Sequence, residues 1–211
     1  MEGENGKISG SFNATRLLTL STTNNAIEVS THVHNADKQP GQPTVISLKT
    51  TNGSAQPHTL PDLPPRADAS HSALSSNISL SSSSNATSPR DSFRVSAQTT
   101  NAPLDIALSS NARPALLRLD AATHNAPAHV ALPPAFEGRF LLRTTRFRPE
   151  LRELPCVAGR ARRLISTGTV AGHAVIGNVS WVPREHGQGD ADADVGWASV
   201  STSGAPATLV L

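Results

Sequence analysis

The sequence predicts an all-β chain of stacked strand–turn–strand units, a β-solenoid or a two-sheet sandwich, with little or no helix. Three observations predict it. Short runs of Leu, Ile and Val alternate with polar residues, the period-2 signature of half-buried strands. A Thr-rich step, an Asn and a small residue separate successive runs, and Asn tolerates the left-handed backbone of a tight reversal. The nearest candidate for a helix, 149–163, is interrupted by Pro155 and Gly159.

The units follow one another along the chain. LLTLSTTNNAIEVST places Leu18 and Leu20 before Asn24, with Ile27 and Val29 after it. VISLKTTNGSA places Ile46 and Leu48 before Asn52 and Gly53. FRVSAQTTNAPLDIAL carries Val95 before Asn101, then Leu104 and Ile106. LLRLDAATHNAPAHVAL repeats the pattern with Leu117, Leu119, Asn125 and Val130. Two degenerate copies, around Thr145 and Gly204, bring Phe140 and Leu142 and the C-terminal strands. Pro103, Pro127 and Pro206 follow the turns, where no ladder donor is needed. Alternation requires the apolar residues of every unit to share one inward surface. A single unit buries too few side chains to offset the ordering of its own backbone, so the units must share a core. One domain over 8–211 is therefore expected.

Two stretches read as insertions. Residues 56–92 are rich in Ser and Pro and poor in apolar residues, although a short strand at 73–80 could carry Ile78 and Leu80 on one face. Residues 184–194, REHGQGDADAD, read as an acidic loop between a strand at 173–182 and the last strands.

Composition narrows the function classes. One Cys excludes a disulfide framework and a Cys-rich zinc site, and points to a reducing compartment. No apolar run reaches the length of a membrane span, and the first residues carry no apolar signal region, so a cytoplasmic location is expected. The net charge of +2, from 18 basic and 16 acidic residues, demands no polyanionic partner.

In VALPPAFEGRFLLRTT, and in the tail of VIGNVSW, a polar acidic loop and SVSTSGAPATLVL, the chain resembles a group of fungal domains common in mushroom-forming species. Members of that group carry several strand–TNGS–strand repeats, an architecture similar to adhesin-like β-repeats. The resemblance implies a repeat fold over 8–211 and no particular activity. At 146–148 the chain departs from it, with Arg146, Phe147 and Arg148 where Asn-Gly-Ser would stand.

Candidate sites are few. Asp190, Asp192 and Asp194 open like a calcium loop, but Val195 and Ser201 occupy the positions where an EF-hand needs Gly and Glu. A solvated loop is the expectation. His32 and His34 share a strand face, as metal-ligating pairs do, without a third ligand identifiable by spacing. Arg139, Arg143, Arg146, Arg148, Arg152, Arg160, Arg162 and Arg163 concentrate guanidinium groups that suit phosphate. Glu137, Glu150 and Glu153 interleave with them, and no Tyr is present for base stacking. Cys156 reads as a buried thiol, and no nucleophile, phosphate-loop or zinc-protease motif occurs. The expected role is a non-catalytic structural or interaction module without a cofactor, with a protein partner favoured over nucleic acid. The alternative is a polyanion- or ligand-binding module using 139–163, and an enzyme comes third.

Overall fold

In the computed structural model, the described residues are 1–35, 42–51, 74–82, 92–110, 116–153, 162–170, 172–181 and 195–211. They contain sixteen strands and no helix, so no helix is long and apolar enough to cross a membrane. The strands are β1 (Glu2–Gly3), β2 (Ile8–Ala14), β3 (Leu17–Thr22), β4 (Ile27–Asn35), β5 (Thr44–Thr50), β6 (Leu74–Ser82), β7 (Ser92–Thr99) and β8 (Leu104–Ser110). They continue as β9 (Leu116–Thr123), β10 (Ala128–Ala131), β11 (Gly138–Thr144), β12 (Glu150–Arg152), β13 (Arg162–Val170), β14 (Ala174–Trp181), β15 (Gly196–Thr202) and β16 (Ala207–Val210).

Two sheets face one another. The larger runs β1-β3-β5-β7-β9-β15-β11-β14-β13, and the smaller runs β12-β16-β10-β8-β6-β4-β2. Up to β12, each strand in one sheet is followed by a strand in the other, so two consecutive strands make one rung across both sheets. Within a sheet the rungs pair in parallel; among the described residues only β14 pairs antiparallel, with β11 and β13. The strands on either side of Asn101 and of Asn125 thus lie in different sheets, and no hairpin closes at either Asn.

The core occupies the space between the sheets, where alternation places it. Along β7 and β9 every second residue is buried. Leu20, Ile27, Val29, Ile46, Leu48, Val95, Leu104, Ile106, Leu117, Leu119, Val130, Phe140 and Leu142 all point inward and are buried. Leu18, expected among them, is only partly buried. Its strand is covered on the outer side by β1, which pairs only with Ser21 and Thr22 and stops short of Leu18. Within the 56–92 stretch, β6 pairs with β4 on one side and β8 on the other, and buries Leu74, Ile78 and Leu80. This part of the stretch belongs to the core. The rest of 56–92, apart from Ser92 at the start of β7, and the whole of 184–194 lie outside the described residues.

The Thr-rich step has a specific structural use. Thr22, Thr50, Thr99, Thr123, Thr202 and Thr144 are successive register partners across the larger sheet, and all are buried. Burying a hydroxyl without a partner is costly, and each of these finds a carbonyl at the corner. Thr99 Oγ1 donates to the Ala102 carbonyl at 2.5 Å, and Thr50 Oγ1 to Asn25 at 2.8 Å. Thr202 donates to Ala205 and Thr144 to Phe147 in the same way. The degenerate copy at 144–148 therefore keeps this corner bond without its Asn. Outside this rail, Asn125 Nδ2 donates to Asn101 Oδ1 at 2.7 Å, and Asn24 Nδ2 to Asn5 Oδ1 at 2.7 Å. Asn52 is outside the described residues.

Stacking in chain order, each unit directly on its predecessor, breaks down at the end of the chain. The last rung, β15 and β16, lies between the rung of β9 and β10 and the rung of β11 and β12. At Gly138 and Gly196, which are register partners, the inserted rung lies unusually close to its neighbour. A Cβ built on Gly138 would stand 2.1 Å from the Gly196 carbonyl oxygen, and one on Gly196 would stand 2.7 Å from the Glu137 oxygen. Only a backbone without side chains on either strand admits so close an approach.

Candidate anion-binding face on the larger sheet

Because the parallel strands of the larger sheet are in register, outward side chains of different rungs fall into straight rows. One row runs Val45, Arg94, Arg118, Trp197, Arg139. The next holds Ser47, Ser96, Asp120, Ser199 and Leu141, and a third holds Lys49, Gln98, Ala122, Ser201 and Arg143. Arg94, Arg118, Arg139, Arg143 and Lys49 are exposed, as is Trp197 at 36%. Parallel strands stand about 4.8 Å apart, so the line from Arg94 to Arg139 is roughly 14 Å long.

Charge on this face is one-sided. Among the described residues of its strands, the acidic groups pointing outward are Asp120 and Glu2. None of the five basic side chains is in an ion pair among the described residues; the pairs there are Lys7 with Glu28, His129 with Asp105 and Arg152 with Glu150. The row carries three guanidinium groups, each a planar fork of donors that suits carboxylate, sulfate or phosphate.

The expected 139–163 cluster is divided by the fold. Arg139 and Arg143 join the face, while Arg146 and Arg148 are exposed in the turn after β11. Arg152 lies on the edge of the other sheet, its Nε donating to Glu150 Oε1 at 2.8 Å. That hydrogen bond holds the Glu150 carboxyl below its ordinary range and raises Arg152. Arg160 lies outside the described residues, and Arg162 and Arg163 open β13. Arg94, Arg118 and Trp197 were not singled out by sequence reasoning. Alternation marks each as outward, but only strand order makes them neighbours.

The other candidates stay apart. Asp190, Asp192, Asp194 and Cys156 lie outside the described residues. His32 and His34 are exposed on the outer face of β4, and no group of three metal-ligating side chains occurs among the described residues. His124 Nδ1 lies 3.1 Å from Ser203 Oγ at an exposed corner, and His129 Nδ1 lies 3.2 Å from Asp105 Oδ1 on the other sheet. The first pair has no carboxylate to orient its imidazole among the described residues. Beside the second stands Thr208, the register partner of His129, whose hydroxyl donates to Glu150 Oε2 at 3.4 Å and not to the imidazole, so neither pair extends into a triad. Gly172, with φ of 73°, lies in the turn before β14.

No family model matches the chain, and neither a curated protein nor a solved structure does.

Proposed function

We propose that the chain is a β-solenoid interaction module, non-catalytic, which offers the outer face of its larger sheet to an anionic partner. The observation that carries this reading is the row of Arg94, Arg118, Trp197 and Arg139, drawn from four rungs, its arginines in no ion pair among the described residues. The solenoid reading is supported by in-register parallel rungs, the buried Thr rail and the Asn101–Asn125 side-chain bond. A repeat scaffold of this kind suits kinship with the fungal strand–TNGS–strand domains, which is part of the proposal.

The test neutralises the row. The triple variant Arg94→Ser, Arg118→Ser, Arg139→Ser keeps the wild-type unfolding midpoint within a few degrees, since exposed substitutions cost little. It is then compared with wild type for binding to an acidic polysaccharide, a single-stranded oligonucleotide and anionic vesicles. The expected result is that wild type binds at least one of them, weakening with added salt, and that the variant loses it. Equal binding by variant and wild type, or no binding by wild type, would contradict the reading.

A further inference from the structure

We infer that the partner of this face is an extended acidic polysaccharide, lying across the strands along the Arg94–Arg139 row. The inference rests on the anionic-partner reading above and specifies its chemistry. A line of roughly 14 Å is longer than a single phosphate or headgroup and suits a chain with repeated negative groups. Trp197 stands between Arg118 and Arg139 in that line. An indole offers a flat apolar surface to the C–H face of a sugar ring, while guanidinium groups on both sides take carboxylate or sulfate in bidentate fashion.

The second row separates a glycan from a nucleic acid. Ser47, Ser96 and Ser199 present hydroxyls beside the arginines, and Asp120 sits among them, next to Arg118 on its own strand. A carboxylate there repels any polyanion, and most of all a phosphodiester chain, which carries a charge at every residue. A glycan can set a neutral, hydroxyl-bearing ring over Asp120 and its acidic groups over the arginines. The same carboxylate is a strong acceptor for sugar hydroxyls. Single-strand binding also rests on several aromatic platforms for successive bases, and Trp197 is the one aromatic on this face among the described residues. A lipid surface would meet the exposed Leu17 and Ile176 only at opposite ends of these rows, with charges and hydroxyls between them and no continuous apolar ridge to insert. Acidic polysaccharides are met outside the cytoplasm, so the proposal sets aside the compartment expected from the single Cys.

The experiment titrates the full chain with heparin oligosaccharides and, separately, with a single-stranded oligonucleotide of equal charge. Wild type is compared with Trp197→Ala, Asp120→Asn and the triple arginine variant, each checked for an unchanged circular dichroism spectrum. The expected result is that Trp197→Ala weakens heparin binding about ten-fold at unchanged charge, as loss of a stacking surface does. Asp120→Asn raises the affinity for the oligonucleotide by a larger factor than that for heparin, whose gain from lost repulsion is offset by the weaker acceptor for its hydroxyls. Heparin affinity that ignores Trp197→Ala, or an oligonucleotide bound more tightly than heparin, overturns the polysaccharide and leaves the anionic face standing. Heparin binding undiminished in the triple variant overturns both.

Discussion

Deleting residues 196–211 is expected to abolish cooperative unfolding of the whole chain, although the deletion removes only one rung at the C-terminus. That rung is internal to the stack: β15 pairs with β9 and β11, and β16 with β10 and β12. Its loss leaves four strand edges unpaired in the middle of the molecule. It also removes Val200, Leu209, Val210 and Leu211 from the core, all of them buried. Four such side chains contribute roughly 6–12 kcal/mol by burial. That is comparable to the whole stability of a typical domain, about 5–15 kcal/mol. Removing Met1–Gly3 from the other end takes away an exposed two-residue strand and costs about 1 kcal/mol. Urea denaturation followed by circular dichroism checks both. A sharp transition with an unchanged midpoint in the chain lacking 196–211 would show that the last rung is peripheral.

Among the described residues, Gly138→Ala should be the most damaging addition of a single methyl group. Its Cβ would lie 2.1 Å from the Gly196 oxygen, 2.5 Å from its carbonyl carbon and 2.6 Å from its Cα. All three are backbone atoms of the neighbouring strand, which cannot retreat without breaking the ladder to β9. The φ of +150° adds its own penalty for any residue with a side chain. Strain and overpacking together come to about 3–5 kcal/mol. In a chain of this size that lowers the melting temperature by roughly 10 °C or more. Gly6→Ala, where a Cβ meets nothing within 4 Å, serves as the control and costs under about 1 kcal/mol. Similar melting temperatures for the two variants would mean that β11 and β15 do not approach as described.

The strands and their inward faces were legible because alternation is a local property. Leu104 and Ile106, or Leu117 and Leu119, are two residues apart, so their common burial needs no knowledge of the rest of the chain. The Thr rail was half legible. Leu18, Leu20 and Thr22 already share one phase of the alternation, but a hydroxyl at the end of a strand reads as turn chemistry, and its carbonyl partner appears only once the corner is built. Asn5 went unnoticed as the partner of Asn24 because the strand before it, β1, is two residues long and leaves no periodic signal. The intercalation of the last rung was not legible at all. Every rung carries the same pattern, and nothing periodic tells β15 to pair with β9 and β11 rather than to follow at the end of the stack. The candidate face inherits that limit, since Arg118, Trp197 and Arg139 become neighbours only through this strand order.

The order of the rungs can be measured directly with paired cysteines on the outer face of the larger sheet, in a Cys156→Ser background. Ala122 is the register partner of Ser201, and Ser201 is the register partner of Arg143. Adjacent strands are about 4.8 Å apart, within the span a disulfide bridges, whereas strands two apart are separated by roughly 10 Å, beyond it. Under mild oxidation, Ala122→Cys with Ser201→Cys should cross-link fully, and Ala122→Cys with Arg143→Cys should remain reduced. Cross-linking of the second pair, with the first pair left reduced, would place the rungs in chain order and contradict the fold on which the candidate face depends.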